Sequence, residues 1–244
     1  MTLSFEKQSP TGKSQATVGR EIKIARVDLI RWAGVSALLA GVCYVLVGIF
    51  HPPNVVAAVT STRWAVVHVL ACAMCFFGVL GLAGLYARQA ERTGGLGLVG
   101  YVALNLWLMI IMGFSFVEAF ILPRVATTQP AFVQSWMAMF NGGGSKINLA
   151  ALPTLWTLSG PVYIVGGLLF GIATFRAGIL PRWGGALLAV GTALSPVAAL
   201  LPRASQPKIA IPVGLALAWL GYALWSEPRA PESQPSESHT GAAL

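Results

Sequence analysis

Charge is scarce in this chain: 10% of its 244 residues are Asp, Glu, Lys or Arg, whereas a water-soluble domain carries about a quarter. That shortage excludes an ordinary soluble surface. Acids are scarcer still, eight against sixteen bases, and Glu118 alone stands between Glu91 and Glu227. No Asp-x-x-x-Asp pair could hold magnesium against a diphosphate, and no phosphate-cradling glycine loop, HExxH or G-x-S-x-G turn occurs. Phosphate-handling, metalloprotease and serine-hydrolase chemistry lose their usual signatures. The three cysteines, Cys43, Cys72 and Cys75, all lie inside apolar runs, which leaves no disulfide framework.

What the chain has instead is hydrophobic length. Its mean hydropathy is +0.72, and six stretches approach the roughly 20 apolar residues that a helix needs to cross the hydrocarbon core. They are 32–50, 64–87, 95–122, 153–175, 183–201 and 209–226. In lipid every backbone polar group must be satisfied within its own segment, so these stretches predict helices and an all-α, polytopic bundle of six spans. Trp32, Trp64, Trp156, Trp183 and Trp225 fall at or near the ends of the runs, where an amphipathic ring prefers the headgroup level.

The net charge of +8 follows the flanks of the spans. Lys7, Lys13, Arg20, Lys23, Arg26, Arg31, Arg88, Arg92, Arg176, Arg182 and Arg229 alternate with the smaller set Arg63, Arg124, Lys146, Arg203 and Lys208. The positive-inside rule then places both termini in the cytoplasm and the protein in a bacterial plasma membrane. Residues 1–31 read as a basic cytoplasmic segment and 32–50 as a retained span rather than a signal peptide. Residues 227–244, rich in Pro, Ser and Glu, read as a disordered cytoplasmic tail that includes His239. With no basic face on a soluble module, nucleic acid is not an expected partner. The bilayer is.

Small residues supply the expected packing. Gly34, Gly41 and Gly48 recur every seven residues, Gly78, Gly81 and Gly84 line span two, and Gly167 with Gly171 forms a small-xxx-small pair. The openings Arg31-Trp-Ala-Gly34, Arg92-Thr-Gly-Gly95 and Arg182-Trp-Gly-Gly185 suggest three copies of a helical hairpin. The same pattern follows from the need for arginine at cytoplasmic ends.

The one long loop, 123–152, carries Phe132, Trp136 and Phe140 four residues apart. This predicts an amphipathic helix on the external side, resting on lipid in the first reading and covering an opening in the second. A flexible joint, Asn141-Gly-Gly-Gly-Ser145, follows it.

Few groups could carry chemistry. An ionisable residue inside a span is costly and normally faces a bundle interior or wet cavity, which singles out Glu118. Counting along the helices puts both Glu118 and His68 roughly 6 Å below the external boundary, with His51 at the end of span one. Ser115, Thr157 and Ser159 lie near enough to join a ligand-binding group. His68, Cys72 and Cys75 share one stripe of span two. A metal or haem at the histidines and cysteines is an open alternative with too few paired ligands, so no metal site is assigned. A plain His–Glu hydrogen bond is the structural alternative.

Five phrases resemble a widespread class of small, uncharacterised bacterial six-span membrane proteins. They are Gly84-Leu-Tyr-Ala-Arg-Gln89, Phe116-Val-Glu-Ala-Phe120 with Leu122-Pro123, Gly171-Ile-Ala-Thr-Phe-Arg-Ala-Gly178, Pro181-Arg-Trp-Gly-Gly185 and Leu217-Ala-Trp-Leu-Gly-Tyr222. The resemblance implies the six-span fold over most of 31–226 and no activity. Three functions follow as expectations: binding of a small hydrophobic or lipid-like ligand near the external leaflet, an intramembrane enzyme with Glu118 as general acid and His68 as partner, or a structural assembly protein.

Overall fold

A computed structural model describes residues 12–227, with side chains from residue 28 onward; the tail expected at 227–244 lies, apart from Glu227, outside the described residues. The described chain is helical without strands. Among the described residues, four helices are long and apolar enough to cross a membrane: Asp28–Phe50, Thr62–Val125, Leu152–Ala177 and Arg203–Ser226. Their outward side chains include Val66, Phe76, Val99, Met109, Leu158 and Leu215, all exposed. An apolar exterior of this kind suits lipid rather than water.

In chain order the helices are α1 (Gly12–Phe50), α2 (Thr62–Phe116), α3 (Leu122–Val125), α4 (Pro130–Asn141), α5 (Leu152–Ala177), α6 (Arg182–Ala193) and α7 (Ile211–Ser226). At 55 residues, α2 would run about 80 Å if straight, far beyond a bilayer. It folds back at Gly94, whose φ of 55° and ψ of −151° belong to a region open almost only to glycine. The two arms, 62–93 and 95–116, then lie antiparallel, with Tyr86 and Tyr101 stacked at 4.8 Å.

Backbone contacts at the small residues define a ring of neighbours. A Cβ on Gly84 would strike Ala33, and one on Gly81 would strike Ala37, so α1 runs antiparallel to the first arm of α2. Gly100 meets Phe170 and Gly166 meets Leu104, which pairs the second arm with α5. Gly171 meets Ala189 and Gly167 meets Thr192 on α6; Gly191 in turn meets Val213 on α7. The ring closes through the seven-residue series expected from sequence, with Gly34 on Gly221 and Trp225, Gly41 on Gly214 and Ala218, and Gly48 on Pro207 and Ile211. Inside the ring, the Tyr44 hydroxyl donates to that of Tyr163 at 3.0 Å, and the Trp107 and Tyr163 rings lie 4.3 Å apart, tilted by 32°.

The fifth expected span, 183–201, is interrupted. α6 has 12 residues, about 18 Å, and gives way to a 3-10 segment, Ser195–Leu200. Pro196 is the physical reason, since it has no N–H for the carbonyl of Thr192. That carbonyl accepts the Ser195 hydroxyl instead, at 2.7 Å.

Candidate functional site

One end of the bundle holds Glu118, and a backbone irregularity puts it there. Pro123 has no N–H to offer the carbonyls one turn back, and its ring crowds a regular helix. The chain responds with a π-turn, Val117–Ile121, in which the Leu122 N–H bonds to the Val117 carbonyl. The Glu118 carbonyl is thereby skipped, because the next N–H in line would be that of Pro123. Trp64, from the start of α2, fills the gap with its Nε1 at 2.8 Å. Single π-turns of this kind concentrate at functional sites.

Glu118 is 7% exposed, and its carboxyl oxygens each face one group. Its Oε1 accepts from Trp136 Nε1 at 3.3 Å, and its Oε2 lies 3.3 Å from His68 Nε2. His68 is 2% exposed. Its Nδ1 sits 2.7 Å from the Trp64 carbonyl, and a carbonyl only accepts, so Nδ1 carries a proton. Nε2 therefore faces Glu118, yet the two atoms are out of hydrogen-bond alignment and Nε2 has no other partner. A buried polar atom left in that condition calls for an explanation.

His51 completes the histidine group, its ring meeting that of His68 edge to face at 5.2 Å. The two rings are in direct contact, so no porphyrin fits between them. The His51 Nδ1–H donates to the Pro52 carbonyl at 2.7 Å, and burial pushes this imidazole below its usual pKa. Among the described residues, no group of three or more His, Cys, Asp or Glu is placed to hold a metal ion.

The expected hydroxyls are less involved. Ser115 is buried one turn before Glu118. Thr157 is exposed and donates to the Pro153 carbonyl at 2.9 Å, while Ser159 is buried and donates to the Trp156 carbonyl at 2.7 Å. Both therefore serve their own helix. On span two, Cys75 is buried and Cys72 half-buried one turn beyond His68.

Two site residues differ from their sequence reading. Trp64, expected at the headgroup border, is fully buried, and Trp136 is 1% exposed. The reason is α4. This helix packs Val133, Trp136 and Met137 against Trp64, Phe114 and Leu122 instead of lying away from the bundle on lipid. Phe140 and Trp156 meet edge to face at 4.5 Å at its margin, and Asn141 Nδ2 donates to the Asn54 carbonyl at 2.8 Å. The apolar stripe was visible in sequence; its partner was not, because Trp64 and Phe114 are distant in the chain. α4 ends at Gly142, in the left-handed conformation, with its N–H on the Ala138 carbonyl, and the Ser135 hydroxyl oxygen accepts from the N–H groups of Lys146 and Ile147 at 2.9 and 3.2 Å, which ties the segment after the glycines back onto α4.

Comparison with family models, with curated proteins and with solved structures gives no match.

Proposed function

We propose that this is a multi-pass protein of a bacterial plasma membrane that binds a small hydrophobic or lipid-like ligand at Glu118 and His68, beneath α4 and toward the external leaflet. The membrane setting rests on the four long apolar helices. Six passes follow if the two arms of α2 each cross and α6 makes a short sixth with its 3-10 extension. Arg31, Arg88, Arg92, Arg176 and Arg182 then share the cytoplasmic end, and both termini are inside. The ring order makes three antiparallel hairpins, in keeping with a repeat and with the six-span class that the motifs resemble.

The observation that carries the reading is the His68 Nε2 atom, buried and unpartnered beside Glu118, the one buried acid among the described residues. Acids inside a membrane bundle are rare and mark candidate functional sites, and here the acid is covered by Trp64, Trp136 and the rest of α4. Native mass spectrometry of the protein purified in mild detergent tests this. A bound apolar mass is expected in the wild type and its loss in Glu118→Gln, with thermal unfolding unchanged; retention of the mass in the variant would refute the assignment.

The enzyme reading has one observation in its favour. Glu118 Oε2 lies 3.3 Å from His68 Nε2 in a buried setting, a place where a general acid could keep its proton from water. Turnover of a bound lipid that stops in Glu118→Ala would decide for it.

A further inference from the structure

We infer that the ligand of the Glu118–His68 pair is an uncharged lipid bearing a hydroxyl group, an alcohol or a phenol. This rests on the ligand-binding reading above and adds the chemical class.

Every polar atom of the pair except two already has a fixed role. His68 Nδ1 is a donor, committed to the Trp64 carbonyl. Glu118 Oε1 is an acceptor, committed to the Trp136 indole. What remains is His68 Nε2 and Glu118 Oε2, 3.3 Å apart and not aligned with each other.

These two atoms hold one proton between them. With none, a carboxylate would sit buried beside a neutral imidazole, and an unpaired buried charge costs several kcal/mol. Among the described residues no Lys or Arg pairs with Glu118, and the Arg63 guanidinium is turned to the Phe50 carbonyl. With one proton, either Oε2 donates and Nε2 accepts, or the reverse. Both arrangements present one donor and one acceptor and no net charge.

A hydroxyl is the simple group that answers both, accepting from one atom and donating to the other. Set to the side of the pair, its oxygen reaches Nε2 and Oε2 together, since two hydrogen bonds of about 2.8 Å span a base of 3.3 Å. An ether or ketone accepts without donating and leaves the accepting atom of the pair without a partner. An ammonium donates without accepting and adds charge, and a carboxylate sets a second acid against Glu118.

The hydroxyl sits to the side of the pair, where the Trp64 carbonyl and the Trp136 indole already hold His68 and Glu118, and the apolar body of the ligand belongs to the bilayer that the exposed apolar side chains of the helices face.

The test uses one C15 isoprenoid body with four heads: farnesol, farnesyl methyl ether, farnesylamine and farnesoic acid. Each is titrated into the full-length protein in mild detergent, with tryptophan fluorescence as the readout because Trp64 and Trp136 line the pair. Farnesol is expected to bind about tenfold or more tightly than the other three, the ratio expected for leaving one buried partner unpaired. His68→Phe should erase that preference, and Glu118→Gln gives a second variant should the first not fold. Equal or tighter binding of the amine or acid, still lost in Glu118→Gln, overturns the hydroxyl class and leaves ligand binding at the pair intact. No binding by any head, or four equal affinities indifferent to Glu118→Gln, overturns the ligand-binding reading and this inference with it.

Discussion

Gly41→Ala is the sharpest perturbation of the bundle. A Cβ at this position would stand 2.8 Å from the Ala218 Cβ and closer still to Ala218 N and the Gly214 carbonyl. Carbon atoms at rest are about 3.5–4.0 Å apart, so α1 and α7 must part by about 1 Å. A gap of that size forfeits about a quarter to a half of each dispersion contact along the seam, and backbone on both sides leaves no flexible side chain to absorb it. Overpacking in a tight core costs about 1–3 kcal/mol. For a chain of this length that is a fall in unfolding temperature of roughly 2–12 °C, read by circular dichroism in mild detergent. Gly48→Ala meets its nearest atom, the Pro207 carbonyl oxygen, at 3.1 Å and should cost less. Gly113→Ala meets nothing within 4 Å and should gain about 0.5–1 kcal/mol from helix propensity. If Gly41→Ala unfolds at or above the wild-type temperature, the close seam between α1 and α7 is refuted.

Four further outcomes are expected. Gly94→Ala forces a side chain into a glycine-only conformation and should cost about 1–3 kcal/mol, whereas Gly95→Ala, in open space, should not; their relative thermal unfolding checks this. Trp64→Phe leaves the Glu118 carbonyl without its donor and should cost about 1–3 kcal/mol in reversible unfolding; an unchanged midpoint would contradict the π-turn account. Tyr44→Phe and Tyr163→Phe break one shared hydrogen bond, so the double variant should lose less than the sum of the singles, with a coupling of about 1 kcal/mol. Reporter fusions after residues 94 and 178 should be cytoplasmic, and those after 146 and 205 external; a shared side for 178 and 205 would remove the pass assigned to α6.

How much of this was legible in the chain depends on the range of the interaction. The glycines at 34, 41 and 48 announced a helix contact because a seven-residue repeat keeps one face, and the face is used as read. Glu118 and His68 were placed at one depth by counting residues from the span ends, and they meet. Trp64 was misplaced, since a tryptophan opening an apolar run looks the same whether lipid or α4 covers it. The π-turn was written in Leu122-Pro123, but a proline at the end of a span ordinarily reads as a helix stop. Pro196 carried the break in 183–201, hidden by the unbroken hydropathy around it. Trp136 became a site residue through a contact 18 positions away in sequence that no local pattern encodes.

The central claim is that Glu118 and His68 act as one unit in holding a ligand. Native mass spectrometry of Glu118→Gln, His68→Gln and the double variant beside the wild type tests it most directly. The account expects each single change to release the bound mass and the double to release no more, because either change removes the shared proton site. Full retention in either single variant, or losses that add in the double, would contradict it.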